Sequence, residues 1–257
     1  MPPNSPLAYR WRNAALQPLA FPQAVRLADL LGIDRQKNAL LANTRQFVRG
    51  LPANHVLLTG SRGTGKSSLV KALLTEFAPE GLRLVEVHPH DLADLPDIVA
   101  PLRGEKFRFV LYVDDFSVAS NDPALVALKT ALDGGIEDPP ENVLIYATSN
   151  RRHLMPEQKR DNQEYHWVDD ELHPGESTEE KISLSERFGL WLSFPPFDQT
   201  QYLEVVRLHL QRLGVGTWDE EMQKLALRWA LNRASRSGRV AQQFARDLAG
   251  RLGAAKN

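Results

Sequence analysis

The 257-residue chain contains no cysteine and no apolar run long enough to cross a bilayer. Without cysteine there is neither a disulfide framework nor a thiolate metal site, a composition that suits a reducing cytosol. An excess of one charge is also missing. The 31 Lys and Arg residues against 32 Asp and Glu leave a formal net charge of −1, so nothing draws the whole chain to nucleic acid or to an anionic membrane. The start, Met1-Pro2-Pro3-Asn4-Ser5-Pro6, is proline-rich and lacks the basic-then-apolar layout of a secretory leader. These absences lead to the expectation of a soluble cytoplasmic protein. What is present is an ordinary globular balance of apolar and charged residues, in a chain long enough for one large domain and one small one.

Residues 1–23 mix prolines with Tyr9, Trp11 and Phe21, and read as an extended arm that packs on the body through its aromatics. From Ala24 to Arg49 apolar residues recur at helical spacing. The run His55–Thr59 then reads as a buried strand. Strand and helix alternate from there: helix Ser67–Phe77, strand Arg83–Val87, a short helix near Leu92–Leu102, strand Phe107–Val113, helix Pro123–Leu132 and strand Asn142–Ala147. Such alternation, with strands that are apolar throughout, predicts an α/β fold whose parallel sheet is sandwiched by helices. Residues 157–183 are polar and poorly periodic and read as an insertion. Order returns at Leu184–Leu192, and Phe194-Pro195-Pro196-Phe197 reads as a stiff joint. Beyond it, three helices are expected at Gln199–Leu213, Asp219–Asn232 and Arg239–Leu252. The expected domains are thus 24–197, α/β and nucleotide-binding, and 198–257, a helical lid.

The nucleotide expectation comes from Gly60-Ser61-Arg62-Gly63-Thr64-Gly65-Lys66-Ser67, a G-x-x-x-x-G-K-[ST] loop between a strand and a helix. Glycines at that spacing let backbone N–H groups converge on phosphate oxygens, and the helix N-terminus adds favourable partial charge. Lys66 is placed to reach the β- and γ-phosphates, and the Ser67 hydroxyl to ligate Mg²⁺; Ser68 follows on the same first turn. The strand Phe109–Val113 ends in Asp114-Asp115. A carboxylate there suits Mg²⁺ (Asp114), and a second acid suits the orientation of an attacking water (Asp115). Alternatively, the pair caps the next helix. Val143–Asn150 reads as another buried strand with polar residues at its C-terminal end, where an open parallel sheet binds its ligand; Asn150 suits placing the attacking water there, or it merely starts the loop.

This order of parts resembles the AAA+ ATPases, from about Leu27 to Leu252. Leu30-Leu31-Gly32-Ile33-Asp34 is similar to the stretch that lines the adenine pocket in that superfamily, which implies a binding role for Ile33. Ala147-Thr148-Ser149-Asn150 resembles the sensor 1 strand end, with Asn150 at the sensor position. Ser185-Glu186-Arg187-Phe188-Gly189 resembles the segment that carries the arginine finger in several groups, including the Holliday-junction branch-migration motors. Such a finger reaches a neighbouring subunit's nucleotide, so the resemblance implies an oligomer; Arg151 and Arg152 are rival positions. Ser237-Gly238-Arg239-Val240-Ala241 looks like the sensor 2 region, with Arg236 competing with Arg239. More narrowly, Leu132–Glu137, Asn150–Leu154 and Arg187–Leu192 resemble a bacterial family of uncharacterised AAA+ predicted ATPases. The Asp114-Asp115 ending departs from the frequent Asp-Glu: it is one methylene shorter, as in bacterial replication initiators and helicase loaders.

The resemblance implies an ATPase that uses ATP and Mg²⁺ to drive lid and subunit motion on a protein or nucleic-acid client. A nucleotide-gated binding module with little hydrolysis is the alternative reading. A P-loop small-molecule kinase is a third, disfavoured by the helical C-terminal region. Two further features are read as solvated surface. His88-Pro89-His90-Asp91 lacks a clear third metal ligand. Arg228, Arg233, Arg236, Arg246 and Arg251 are interspersed with Asp219, Glu220, Glu221 and Asp247.

Overall fold

The computed structural model describes residues 6–20, 25–116, 123–133, 140–150, 166–168, 171–173 and 186–254. Its centre is a seven-stranded sheet: β1 (Ala8–Arg12), β2 (Ala15–Leu19), β3 (Val56–Gly60), β4 (Leu82–Val87), β5 (Arg108–Val113), β6 (Val143–Ser149) and β9 (Leu190–Phe194). The order across the sheet is β2-β1-β4-β5-β6-β3-β9. Every neighbouring pair is parallel except β1 with β2. All residues of β3 and β6 are buried, as expected of strands covered on both faces. A separate antiparallel pair joins β7 (His166–Val168) to β8 (Glu171–His173) inside the polar stretch 157–183. The rest of that stretch, and Arg151 and Arg152, lie outside the described residues.

Alternate residues of each strand feed two cores, one on each face. From β5, Val110 and Tyr112 join one cluster with Leu40, Phe47, Leu69, Leu73 and Phe77 of helices α1 (Asp34–Val48) and α2 (Lys66–Phe77). Phe109, Leu111 and Val113 join the other cluster, with Ile98 of α3 (Leu95–Val99) and Leu128 and Leu132 of α4 (Pro123–Asp133). The first core continues into three C-terminal helices, α5 (Gln199–Arg212), α6 (Glu220–Asn232) and α7 (Gly238–Ala254), through Phe197, Tyr202, Val206 and Phe244. Local chemistry sets their starts. Asp198 and Gln201 form a reciprocal capping box at α5, and Asp219 accepts from Met222 N at α6.

Three elements differ from their expected form. The segment around Tyr9 and Trp11 enters the sheet instead of only lying on it. β1 pairs with β4, and Asn13 and Ala14, both at φ 52°, turn the chain back into β2. The expected helix Ala24–Arg49 is split, because Gly32 at φ 72° separates a 3-10 turn at Leu27–Asp29 from α1. Leu190–Phe194, read only as a return of order running into a joint, is a strand that pairs with β3 along its whole length.

Beyond its pairing with β4, the N-terminal hairpin is anchored by Trp11, which is buried and donates its indole N–H to Asp94 Oδ2 at 2.9 Å. Replacing it with alanine deletes a large apolar body and strands the Asp94 acceptor. Trp11→Ala is expected to lower the unfolding free energy by about 3–5 kcal/mol in urea denaturation.

Candidate functional site

The loop between β3 and α2 is fixed by its neighbours. Gly60, at φ 129°, lies so close to β9 that a Cβ atom would sit 2.1 Å from the Phe194 carbonyl oxygen, so only glycine fits. The same carbonyl accepts from Ser61 N at 3.1 Å. Thr64 Oγ1 donates to Ser61 O at 2.8 Å and closes the loop, and Gly65 at φ 100° starts α2. Lys66 folds back inside it. Its ammonium donates to Gly60 O and Ser61 O, each at 2.8 Å, and to Asn150 Oδ1 at 3.2 Å. Burial pulls the Lys66 pKa down to about 8; Asp114 and Asp115 push it up, and Arg62 adds to the lowering.

The strands that follow bring the acids to this lysine. β5 and β6 are adjacent, and β6 also pairs with β3, so residues after Gly60, Val113 and Ser149 gather at one end of the sheet. Asp114 Oδ1 accepts from Ser67 Oγ at 2.8 Å and from Thr148 Oγ1 at 2.6 Å. Burial disfavours the charge on Asp114. The Thr148, Tyr112 and Ser67 hydroxyls around it and the charge of Lys71 outweigh that effect, holding the carboxyl below the usual carboxylate range. A carboxylate beside a hydroxyl is a hard-oxygen donor pair of the kind Mg²⁺ takes, with waters and phosphate completing its shell. Asp115 adopts φ 54°, and its carboxylate accepts a short hydrogen bond from Asn150 Nδ2.

These groups line one open cleft of about 750 Å³. Arg62, Gly63, Thr64, Gly65, Lys66, Ser67, Ser68, Asp114, Asp115 and Asn150 form its polar floor. Gly60 and Ser61 contribute backbone behind the floor and do not line it. Ile33 packs against Gly65 at the apolar end, with Leu30, Leu31 and Val205 nearby. The N-terminus of α7 forms the far wall. Gly238 N donates to Gly63 O at 2.8 Å, and Arg239 faces into the cleft. Of the two candidate arginines there, Arg239 lines this cleft, while Arg236 lines a separate groove beside α6.

Other expected residues lie elsewhere. Arg187 does not line the cleft; its Nε donates to Asp133 Oδ2 at 2.6 Å, at the end of α4. His88 and His90 stack on each other with ring centroids 5.0 Å apart. Among the described residues, no group of three or more His, Asp or Glu side chains is disposed to hold a metal. Nor does any described helix have the length and apolarity to cross a membrane. In the C-terminal helices, Arg233 lies 3.6 Å over the Trp229 ring, and Arg251 pairs with Asp247.

Sequence reading missed several residues in and behind the walls. Thr148, buried behind the cleft without lining it, carried no assigned role. Asp29 and Arg212, both lining the cleft, form an ion pair, and His209 lines it too, its pKa lowered by burial and by the charges of Arg212 and Arg246, against the opposing pull of Asp29. Lys71 and Gln242 line the cleft from α2 and α7. No periodicity marks these positions, since each faces the cleft through the packing of its element.

The sequence matches, over residues 4–252, the family described as "Protein of unknown function (DUF815)". No curated protein matches it. Among solved structures it is similar to the Thermotoga maritima RuvB Holliday junction branch migration motor. That match has 17% identity and a TM-score of 0.60, and covers 92% of this chain and 68% of the other. It is also similar to the Aeropyrum pernix ORC1 protein solved in complex with DNA, with 16% identity, a TM-score of 0.62, and coverage of 92% and 63%. At these identities the likeness concerns the fold, which is the AAA+ P-loop α/β fold.

The lowered Lys66 pKa has a directional consequence. A bound phosphate favours the ammonium and raises that pKa above about 8. The contribution of Lys66 to binding a nucleoside triphosphate is therefore expected to be level below pH 8 and to fall as pH rises from 8 towards 10. Fluorescence titration of a labelled nucleotide across that range checks it, and Lys66→Met is expected to remove the slope along with most of the affinity.

Proposed function

We propose that this chain, which belongs to the DUF815 family and has the AAA+ fold, is an ATP-binding and ATP-hydrolysing protein that depends on Mg²⁺. The observation that carries the reading is the convergence of Lys66, Ser67, Asp114, Asp115 and Asn150 at the ends of three adjacent strands, joined by direct hydrogen bonds. Backbone N–H groups of the Gly60–Ser67 loop hold the phosphates, and Lys66 leaves its carbonyl partners for them. Ser67 and Asp114 would hold Mg²⁺, which supplies neutralisation of phosphate charge when bound. Asp115 orients the attacking water and accepts its proton, and Asn150 steadies that water against the γ-phosphate. Arg239 senses the γ-phosphate from the lid, and its place in the cleft wall supports that role. Ile33 and its apolar neighbours take the base.

Arg187 is the proposed arginine finger. Its position outside the cleft of its own chain suits a residue that serves a neighbouring copy, which makes the working form a homo-oligomer. The client is a macromolecule remodelled or loaded by lid and subunit motion. Two structural neighbours are named for a Holliday junction and for a complex with DNA, so DNA is the first client to test, with protein the other class. The proposed location is the cytoplasm. One observation favours the slower reading, a nucleotide-gated binding module: Asn150 ties the short Asp115 side chain in place.

Phosphate release by the purified full chain tests the assignment. Wild-type protein is expected to hydrolyse ATP with Mg²⁺, and Lys66→Ala to lose at least about 100-fold. Arg187→Ala is expected to lose on the order of 10³-fold while still binding ATP. Turnover that survives unchanged in Lys66→Ala would remove the site assignment; tight binding without turnover would leave the gated module.

A further inference from the structure

The pairing of β5 with β6 ends at Val113 with Ala147, and the three residues that follow Val113 leave the strand path. All three are held by one residue. Thr148 Oγ1 donates to Asp114 Oδ1 at 2.6 Å, Asp115 N donates to Thr148 Oγ1 at 3.0 Å, and Phe116 N donates to Thr148 O at 2.6 Å. A threonine hydroxyl has one hydrogen to give and lone pairs to accept. Here the hydrogen goes to the carboxylate and a lone pair takes the amide, so both polarities are settled. Thr148 is buried, and its branched Cβ restricts χ1, so the hydroxyl is pre-aimed. Asp115 needs that hold because it adopts φ 54°, a conformation that costs a non-glycine residue energy and persists only when the surroundings impose it.

We infer that Thr148 is the positioning residue that sets both acids at once: the carboxylate of Asp114 towards the cation and the backbone of Asp115 so that its side chain faces the reacting water. The inference rests on the proposed roles of Asp114 and Asp115. It goes beyond them in assigning the Mg²⁺ response of the site to a buried hydroxyl that does not line the cleft. Ser67 anchors Asp114 from the P-loop side. Thr148 is the only residue among those described that bonds both acids' segments from the sheet, through the end of β6.

The test compares Thr148→Ser, Thr148→Cys and Thr148→Val in the full chain, with two readouts. One is kcat for ATP hydrolysis as a function of Mg²⁺. The other is the gain in ATP affinity on adding Mg²⁺, measured by titration without turnover. Serine keeps the hydroxyl and is expected to stay within about threefold of wild type. Cysteine and valine lose it. They are expected to need about 10-fold or more Mg²⁺ for half-saturation and to lose the Mg²⁺-dependent gain in affinity, while Mg²⁺-free ATP binding stays within about threefold. Serine and cysteine differ only in oxygen against sulfur, so this pair decides the matter even if the valine protein does not fold. Cysteine indistinguishable from serine in Mg²⁺ response would overturn the role of Thr148. Wild-type protein that binds Mg-ATP without hydrolysing it would overturn the ATPase reading and leave the affinity readout to judge Thr148.

Discussion

The geometry of the cleft depends on how one half-buried carboxylate is held. Burial disfavours the charge on Asp114, and the hydrogen-bond donors around it more than offset that effect. The donors come from two different elements: Ser67 on the first turn of α2 and Thr148 at the end of β6. That arrangement ties β5, β6 and the P-loop helix together within hydrogen-bond reach. It works only because the sheet order makes β5 and β6, and β6 and β3, neighbours. β9, on the far side of β3, presses so close that Gly60 has no room for a side chain.

The second organising contact lies between the P-loop and the start of α7. Gly63 O accepts from Gly238 N, and a Cβ at Gly63 would meet the Ser237 side chain at 3.0 Å, so small residues on both sides permit a direct backbone bond. Asp29 and Arg212, which also line the cleft, join the turn before α1 to α5. Two contacts at the cleft thus link the α/β body to the C-terminal helices.

Legibility in the sequence followed the physics of each signal. The P-loop could be read because its glycines, lysine and serine are contiguous and each answers a local demand. The strands β3, β5 and β6 could be read because burial on both faces leaves unbroken apolar runs such as Val56–Leu58 and Phe109–Val113. β9 could not, since Leu190-Trp191-Leu192-Ser193-Phe194 is short, runs into two prolines, and becomes a strand through pairing with β3. β1 hid in the same way, its tyrosine and tryptophan reading as anchors when their backbone also extends the sheet. Asp114 and Asp115 were visible as a strand end with two acids. Thr148 was not, because the need for a hydroxyl arises only once two strands are side by side. Asp29 and Arg212 stand 183 positions apart in sequence and meet only in the folded chain.

Everything proposed for this chain rests on the cleft taking Mg-ATP, which calorimetric titration of ATP onto the purified full chain, with and without Mg²⁺, would decide. Saturable binding of one ATP per chain, strengthened by Mg²⁺, is expected. A chain that binds no ATP, or binds it with an affinity indifferent to Mg²⁺, would contradict it.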